Sequence, residues 1–323
     1  MEITTLVPAY KSQYLTELLV ALQNQTLKPT RIVFSDDSPD QAFIRALSSE
    51  EIRSAFAGLN MQVVVGPQQG AWANFRHLLL HHAAGTEFFH LLLDDDIPYP
   101  EFYERHAQAH SLGQAACVVS RRWSALESGQ PFASLPVPQA ISGHPQRMLA
   151  LSADLLFPHI VPATSNWLGE FSNATFRASM REELLNTQIA GIRYTGLEDI
   201  GAFLVASLTA PLILINEHLG YFRTSPGQNT SQPTGRIFKL GVLAWIPLAL
   251  AARRLQKIDA AQCAAVAQRI AQAVLQHYSQ DEHMTRVAHL ALSIGPQDDA
   301  ADAHFLDAWN AFCELGDAAG RAA

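Results

Sequence analysis

Cysteine is scarce in this chain, with three residues among 323. Cys117, Cys263 and Cys313 lie far apart in the sequence and form neither a CxxC pair nor a disulfide framework. The spacing therefore excludes a disulfide-stapled scaffold and favours buried thiols in a reducing compartment.

Basic residues are also few. The chain has 22 lysines and arginines against 30 aspartates and glutamates, which gives a formal net charge of −8. A protein that binds duplex nucleic acid normally shows the opposite balance or a basic stripe, because it must neutralise phosphates. We therefore expect no nucleic-acid partner.

Long apolar runs are absent too. The longest, at 240–252, is well short of the roughly 20 residues that a membrane-spanning helix needs. The N-terminus MEITTLVPAY enters a strand pattern without a basic and then apolar leader, and this predicts a cytoplasmic protein. Basic residues bracket the apolar run, so segment 236–257 could form a peripheral contact at the inner face of the cell membrane. Burial against the rest of the chain is the favoured interpretation, and Pro247 predicts a kink or break.

What the chain does have is a regular alternation of strand and helix patterns. Runs typical of strands occur at 3–8, 31–37, 61–66 and 88–93, and helical patterns separate them, one of which predicts a single helix at 41–56. Strands that alternate with helices of about ten to fifteen residues indicate βαβ units and a parallel sheet. The fold class is therefore α/β, and the length allows one large core or two domains.

Polar residues cluster where these strands end. Asp36 and Asp37 close the second strand, 66–70 follows the third with two glycines, and 94–96 follows the fourth with three consecutive aspartates. Ligands of parallel sheets bind at the carboxyl ends of the strands. Adjacent carboxylates repel one another unless a positive group lies among them. The triplet is therefore either a solvated turn or the site of a hard divalent cation.

The remainder of the chain is less regular in pattern. Residues 121–165 are rich in proline, serine and glycine, which predicts a long irregular loop. After about residue 236 the composition changes, and alanine, leucine and glutamine recur at helical spacing. This predicts three or four helices. We therefore predict a boundary near residue 235, between an α/β domain at 1–235 and a C-terminal helical region at 236–323.

The chain resembles an inverting family 2 glycosyltransferase over roughly residues 1–232. Six ordered motifs carry the resemblance: TTLVPAYKSQYLTELLVALQNQT, RIVFSDDSPD, GAWANFRHLL, HLLLDDDIPYP, FSNATFRASM and GLEDIGAF. It implies the Rossmann-like A-type (nucleotide-diphospho-sugar transferase) fold with a mostly parallel central sheet. It also implies that 1–235 is a nucleotide-sugar-binding and catalytic domain, which transfers a sugar from a UDP- or dTDP-sugar to an acceptor hydroxyl.

The resemblance assigns the nucleotide pocket to the first two strand ends. Pro8, Ala9 and Tyr10 would line it, with Tyr10 packing on the base. Asp36 and Asp37 are both candidates to accept the imide N–H of a pyrimidine, a contact that gives base selectivity. Either aspartate could instead form an Asx turn that caps the next helix.

The third motif, GAWANFRHLL, contributes three expected donor contacts. Gly70 permits close approach of backbone, and Asn74 opens or lines a helix. Arg76 stands where many relatives carry asparagine. It could clamp the diphosphate, or it could be an ordinary surface arginine.

In the family, carboxylates of the DxD type hold Mg²⁺ or Mn²⁺ against the diphosphate of the donor. The resemblance therefore assigns Asp96 to the metal and Asp94 to the metal or the ribose, with Asp95 beside them at the donor. Relatives often add a late histidine ligand, but the corresponding stretch YFRTSPGQN has none, so Asn229 or water would have to serve. Arg223 in this stretch could close over the diphosphate.

The motif GLEDIGAF is expected to supply the general base. Inverting transfer needs one carboxylate to take the proton of the acceptor hydroxyl, and the resemblance gives this role to Asp199, with Glu198 orienting it. A helix N-terminus that favours acidic residues is the alternative explanation of this pair. Trp167 and Glu170 are the expected acceptor contacts, through stacking on a sugar and hydrogen bonds to its hydroxyls.

Two other function classes compete with this interpretation. A sugar nucleotidyltransferase would carry a glycine-rich, Arg/Lys-bearing signature near the N-terminus, and VPAYKSQYL lacks it. A non-catalytic nucleotide-sugar-binding protein would not need both the aspartate triplet and the Glu-Asp pair. Bacterial polysaccharide or glycoconjugate assembly is the setting that the resemblance suggests, with a glycan, lipid-linked or protein acceptor. The sequence carries no signal for oligomeric state.

Overall fold

The computed structural model describes residues 1–225, 228, 232–295 and 299–315. Asn229, considered above as a cation ligand, lies outside them. The chain forms two compact units, each assembled from three segments. The first comprises Met1–Leu151, Trp167–Leu185 and Ala206–Thr224. The second comprises Ser152–Asn166, Asn186–Val205 and Ser225–Ala323. This grouping assigns parts of the predicted 1–235 domain to the second unit; the functional boundary at 235 stays a prediction.

The strands of the described chain are numbered in sequence order. They are β1 (Ile3–Ala9), β2 (Arg31–Asp36), β3 (Met61–Val65), β4 (Phe88–Leu91), β5 (Ile97–Pro98), β6 (Cys117–Ala125), β7 (Pro131–Ser134), β8 (Met148–Leu151), β9 (Ala174–Arg177), β10 (Gln188–Ile189), β11 (Ile192–Arg193) and β12 (Leu212–Arg223).

The α-helices are numbered in the same way. They are α1 (Leu15–Gln23), α2 (Ala42–Leu47), α3 (Glu50–Ala55), α4 (Ala71–His82), α5 (Phe102–Ser111), α6 (Gln139–Ser142), α7 (Ala153–Ile160), α8 (Arg181–Asn186), α9 (Glu198–Thr209), α10 (Arg236–Leu243), α11 (Trp245–Arg254), α12 (Ala260–His277), α13 (Glu282–Ala291) and α14 (Asp299–Glu314).

The first unit is built around one sheet in the order β3-β2-β1-β4-β9-β6-β12-β5. Strand β1 pairs in parallel with β2 and β4, β2 with β3, and β6 with β12. Strand β9 runs antiparallel between β4 and β6. The mostly parallel α/β fold predicted from the sequence is therefore confirmed, and the carboxyl ends of β1, β2, β3 and β4 lie along one edge.

The core of this sheet follows from its apolar sequences. Every residue of β1 is buried, as expected for a central parallel strand covered on both faces. Helix α1 buries Leu15, Leu18, Leu19 and Leu22, the four positions that its periodicity predicts. The strand ends are thus held by a close-packed core, which fixes the loops that follow them.

Two local expectations were wrong. Residues 41–56 form two helices, α2 and α3, because the Ser49 hydroxyl caps a new helix start by accepting the N–H of Ile52 at 3.3 Å. The region 121–165 is not an irregular loop, since it contains β7, α6, β8 and α7. Short strands that pair with β6 and β12 carry little periodicity of their own, so the sequence did not reveal them.

The apolar run 240–252 lies in the second unit. All residues of 245–252 are buried, and α11 packs on α12, α14 and β11. The helical segment is interrupted at Ala244, between α10 and α11. Pro247 lies in the first turn of α11, where a proline is tolerated. Among the described residues, no helix has both the length and the apolar character required to cross a membrane.

Candidate active site

The aspartate triplet follows β4 and is buried, with each residue at most 4% exposed. Oδ2 of Asp94 accepts two backbone hydrogen bonds, from the N–H of Tyr10 at 2.5 Å and the N–H of Lys11 at 2.6 Å. Because Tyr10 and Lys11 directly follow β1, these bonds join the ends of two neighbouring strands. Asp94 therefore fixes the loop after β1 against the loop after β4.

Lys11 and Arg223 contact the other two aspartates in different ways. The Lys11 ammonium forms an ion pair with Asp95. The backbone N–H of Arg223 donates to Oδ1 of Asp96 at 3.0 Å, and Nε of Arg223 donates to the carbonyl oxygen of Asp95 at 2.9 Å. Positive charge thus lies among the three carboxylates, which offsets part of their mutual repulsion.

The guanidinium of Arg223 is only 1% exposed. It forms an ion pair with Glu17 at 2.7 Å and lies over the ring of Tyr14, 4.3 Å from its centroid. Arg223 therefore forms part of the wall behind the triplet, and a direct contact with a diphosphate would require these interactions to rearrange.

Burial and neighbouring charge raise the pKa of two of the aspartates. Burial, reinforced by the charge of Asp95, raises the pKa of Asp94 to about 6. The same two causes, in the same order, raise the pKa of Asp96 well above its ordinary value. A divalent cation would relieve both effects, since it favours the charged form of a carboxylate.

The oxygen atoms of the triplet fit such a cation. Oδ2 of Asp96 is buried and receives no well-formed hydrogen bond within the part of the chain that the structure describes. Mg²⁺ commonly takes one or two carboxylates and completes its shell with water and substrate phosphates. In the described ranges, no group of three or more His, Cys, Asp or Glu side chains is placed so that it could hold a metal ion by itself. The residues therefore fit a cation that shares its ligands with a substrate.

The two aspartates after β2 have different environments. Asp36 is buried and accepts three hydrogen bonds, from the N–H and hydroxyl of Ser38 at 2.8 and 2.5 Å and from the N–H of Ile44 at 2.8 Å. It forms the Asx turn and helix-capping contact that the sequence left open. Asp37 accepts one bond on Oδ1, from the N–H of Gln68 at 2.8 Å.

Asp37 has a second carboxylate oxygen that can accept a hydrogen bond. Its Oδ2 is buried and has no hydrogen-bond partner among the residues described, and burial is the main cause that raises its pKa. Gly66 makes room for it, since a Cβ at this glycine would lie 2.2 Å from Oδ1 of Asp37. The geometry therefore favours Asp37 over Asp36 as the carboxylate that meets a ligand.

The helix α4 begins beside this aspartate. Gly70 has φ +92° at the start of α4, a conformation that favours glycine. Asn74 is buried and donates to the carbonyl oxygen of Ser35 at 2.8 Å, while its own Oδ1 is unpartnered within the described chain. Nη1 of Arg76 donates to the carbonyl oxygen of Leu185 at 2.5 Å, so this arginine is partly committed to the backbone.

The remaining strand-end residues differ in exposure. Pro8 and Ala9 are buried in β1, whereas Tyr10 is 58% exposed and free to meet a planar ligand. Trp167 is 4% exposed and its Nε1 has no partner in the described residues. Glu170 forms a bidentate ion pair with the buried Arg122, at 2.7 and 2.5 Å. Trp167 is therefore buried and Glu170 is held by an ion pair, and an acceptor role for them stays a prediction.

Glu198 and Asp199 are the first two residues of α9 and belong to the second unit. Both are half-buried, and burial raises the pKa of Glu198, whose Oε1 accepts the N–H of Gly196 at 2.9 Å. The structure therefore agrees with the alternative explanation, in which the two acidic residues are favoured because they begin a helix. That explanation does not conflict with a catalytic role. The position of Asp199 as a base stays a prediction.

The sequence interpretation missed several residues of the triplet's surroundings. Lys11 contacts Asp95, Tyr14 and Glu17 contact Arg223, and Ser172 accepts the backbone N–H of Leu93 beside the triplet. Lys11, Tyr14 and Glu17 lie within the first of the six motifs and Ser172 within the fifth. All four are distant in sequence from residues 94–96, and no spacing rule relates them to the triplet.

Residues 4–159 match the sequence profile described as Glycosyl transferase family 2. No curated protein sequence matches the chain significantly. Among solved structures, S. aureus TarS matches with TM-score 0.57 and 17% identity, over 97% of this chain and 53% of that one. The chain thus spans about half the length of that protein.

Shorter TarS structures are similar to the same extent. The TarS 1–349 structure in complex with UDP has TM-score 0.54 and 16% identity, over 97% of this chain and 90% of that one. The complex with UDP-GlcNAc has TM-score 0.51 and 18% identity, over 97% of this chain and 91% of that one. At these identities the likeness to TarS shows the fold alone. The profile match over residues 4–159 and the A-type fold together support a family 2 glycosyltransferase.

Proposed function

We propose that the protein transfers a sugar, with inversion, from a pyrimidine nucleoside diphosphate donor to an acceptor hydroxyl, assisted by Mg²⁺ or Mn²⁺. The observation that carries the proposal is the unpartnered, buried Oδ2 of Asp96 at the carboxyl end of β4 in a family 2 fold. The UDP and UDP-GlcNAc complexes of TarS, a protein of similar fold, support the choice of donor.

The first unit carries the donor contacts in this proposal. The free Oδ2 of Asp37 accepts the imide N–H of uracil or thymine, and the exposed ring of Tyr10 packs on the base. Pro8 and Ala9 shape the pocket behind it. Gly70 lets the α4 start approach the donor, and Asn74 and Arg76 lie along that helix.

Asp96, with Asp94, would hold the cation. The chemistry that a bound cation supplies is neutralisation of the charge that accumulates on the departing nucleoside diphosphate. Asp95 is paired with Lys11, and Arg223 braces the backbone of the triplet. These contacts keep the carboxylates in one arrangement before the donor arrives, which lowers the ordering cost of binding.

The acceptor half of the reaction rests on the motif GLEDIGAF. We assign to Asp199 the removal of the proton from the acceptor hydroxyl, and to Glu198 its orientation. Trp167 and Glu170 are the proposed acceptor-side residues. A carboxylate base on the face opposite the leaving diphosphate gives the inverted product.

The setting is proposed from the matched family alone. Family 2 membership is consistent with polysaccharide or glycoconjugate assembly in the cytoplasm or at the inner membrane face. A glycan, a lipid-linked sugar or a protein would serve as acceptor. The burial of 245–252 leaves little apolar surface on α11 for a lipid contact.

The test is sugar transfer and donor hydrolysis from a panel of UDP- and dTDP-sugars, with Mn²⁺ or with a chelator. We expect activity that the chelator abolishes and that Asp199→Asn lowers about 10²- to 10⁴-fold, the usual contribution of a general base. Asp199→Asn should bind UDP with unchanged affinity. Undiminished activity in the chelator would contradict the cation, and undiminished activity in Asp199→Asn would contradict the base.

A further inference from the structure

Arg121, on β6 in the first unit, is a half-buried cation whose partners are neutral. Its Nη2 donates to Oγ of Ser134 at 2.9 Å, and its Nη1 donates to Oδ1 of Asn216 at 3.3 Å. Burial lowers the pKa of Arg121, and none of the carboxylates in the described ranges forms an ion pair that would offset this. The charge of the guanidinium is therefore left without a counterion.

The acidic residue of β12 does not supply that counterion. Glu217 pairs with Arg105 at 3.7 Å and with Arg147 at 3.3 Å, so two other arginines already share its carboxylate. The chain has 30 acidic residues and a net charge of −8, so acids are not scarce. An unpaired arginine beside two further arginines makes this part of the surface attractive to anions.

Arg121 also retains hydrogen-bond donors that no described residue uses. A guanidinium presents several N–H groups in a planar fork that matches the oxygen atoms of a carboxylate or a phosphate. Nε of Arg121 is buried and has no acceptor among the described residues. A buried donor without a partner is costly, so an oxyanion at this guanidinium would stabilise the arrangement.

The neutral groups around the guanidinium are held in place. The ring of His218 stacks on Trp123 with centroids 4.0 Å apart, and its Nε2 lies 2.8 Å from Oγ of Ser134. Asn216 donates through Nδ2 to the carbonyl oxygen of Ile141 at 3.1 Å, which leaves its Oδ1 to accept from the guanidinium. The register of β12 shifts on both sides of His218, and such irregularities re-aim side chains. The cluster is thus ordered before a ligand arrives, which lowers the cost of binding.

This cluster lies apart from the aspartate triplet. Arg223 is opposite Ala125 in the sheet, and its N–H donates to Asp96. Arg121 precedes Ala125 by four residues on β6, which corresponds to about 13 Å at the rise of a strand. A ligand at Arg121 would therefore leave the position proposed for the diphosphate unoccupied, and both could be bound at once.

We infer that Arg121, with Ser134 and Asn216, binds an oxyanion, namely a phosphate or carboxylate group, at a second site of the first unit. The group is either a free ion such as inorganic phosphate or the acidic part of a larger molecule, since the same fork recognises both. The site is independent of the reaction assigned to the triplet, because it shares no residue with it.

The test is a nuclear magnetic resonance titration of the full chain, saturated with UDP, at constant ionic strength. Inorganic phosphate, dimethyl phosphate and acetate are the three probes. We expect Arg121→Gln to raise the Kd of the probe that binds the wild type about 10-fold or more, because charge-assisted hydrogen bonds are lost. Arg121→Lys keeps the charge but not the fork, so its Kd should lie between the two. Arg53→Gln, at an exposed arginine of α3, is the matched control and should bind like the wild type.

A second variant, Ser134→Ala, removes one neutral partner and should raise the Kd by less than Arg121→Gln does. A preference for inorganic phosphate supports a free ion as the ligand, and a preference for dimethyl phosphate or acetate supports an acidic group of a larger molecule. The inference is overturned if no probe binds saturably, or if the wild type and both variants share one Kd. Binding that occurs only without UDP would place the anion in the donor pocket and overturn it too. Absence of donor turnover in the wild type would contradict the proposed function and leave this site untouched.

Discussion

Adjacent aspartates in this protein differ in how many of their carboxylate oxygens are already hydrogen-bonded or ion-paired. In the pair after β2, Asp36 accepts three hydrogen bonds and Asp37 accepts one. In the triplet after β4, Asp94 accepts two backbone hydrogen bonds and Asp95 pairs with Lys11. Oδ2 of Asp96 is buried and has no hydrogen-bond partner among the described residues. A buried acceptor without a partner is costly, so its survival indicates a ligand.

Substitution of Asp37 by Asn should weaken nucleotide binding. The change replaces a charged acceptor with an amide, and a hydrogen bond to a charged group is worth about 1.5–3 kcal/mol, so the Kd for UDP should rise about 10- to 100-fold. Calorimetric titration of UDP measures the effect. Asp40→Asn, an exposed change in the same loop, serves as the control and should bind like the wild type.

Substitution of Asp36 by Ala should act on stability instead. It leaves the N–H groups of Ser38 and Ile44 without their buried partner, at about 1–3 kcal/mol for each unsatisfied group. Urea unfolding should show a lower free energy of unfolding than in Asp37→Asn. If the two variants lose stability equally, the division of roles between the aspartates is wrong.

Burial also gives His110 a distinctive pH response. Burial, with the nearby charge of Arg177, lowers its pKa to about 3 in the folded state, against the ordinary value of 6.5. Below pH 6.5 the unfolded chain therefore binds a proton at His110, whereas the folded chain does not. The free energy of unfolding is unaffected by this group above pH 6.5, and it falls as pH drops from 6.5 toward 3.

The comparison that isolates this effect is wild type against His110→Gln. The difference in their free energies of unfolding should shift by about 1.4 kcal/mol for each pH unit below 6.5, to the disadvantage of the wild type. Urea titrations at pH 8, 7, 6 and 5 measure it. A difference that stays constant from pH 7 to pH 5 would show that His110 is not held neutral in the fold.

At the scale of elements, α9 begins where two glycines permit close packing within the second unit. Gly196 has φ +98°, and a Cβ there would lie 2.6 Å from the backbone nitrogen of Gly241 in α10. A Cβ at Gly201 would lie 2.2 Å from Cε2 of the buried Tyr194. The glycines of GLEDIGAF are thus structural, and they set the position of Glu198 and Asp199 between them.

Substitution of Gly201 by Ala tests this packing. The added methyl group overpacks the contact with Tyr194, which should lower the free energy of unfolding by about 1–3 kcal/mol. Because α9 would have to shift, transferase activity should fall as well. Gly58→Ala is the control: a Cβ added at Gly58 would meet no heavy atom within 4 Å, so stability should change by less than about 0.5 kcal/mol.

At the scale of the whole molecule, donor and cation should stabilise the folded chain together. A ligand that binds only the folded state at 100 times its Kd adds about 2.7 kcal/mol of stability. We therefore expect UDP with Mn²⁺ to raise the Tm more than either alone, and a chelator to remove the added shift.

Thermal unfolding with a panel of nucleotides provides the measurement. ADP is the matched control, because adenine has no imide N–H for Asp37 to accept. An equal shift with ADP and UDP would contradict the proposed base contact. An equal shift with and without Mn²⁺ would contradict shared binding of the cation by Asp96 and the diphosphate.

The amino-acid sequence by itself determined the strands and helices that frame the site. Alternating apolar runs gave β1, β2, β3, β4 and α4, and the order of the motifs gave a resemblance to family 2 that the profile match over residues 4–159 supports. These signals are local, because side-chain periodicity and turn residues act over a few positions. The same local reasoning placed Asp94, Asp95 and Asp96 at a strand end.

Which carboxylate oxygens of the triplet are left without a hydrogen-bond partner among the described residues depends on the tertiary structure. Arg223 meets Asp96 across 127 positions of sequence, and Asn74, Lys11 and Ser172 likewise take their places only once the sheet has formed. The short strands β7 and β8, hidden within a predicted loop, also depend on pairing with β6 and β12. Hydrogen bonds between distant segments have no period in the sequence, since the fold alone brings their donors and acceptors together.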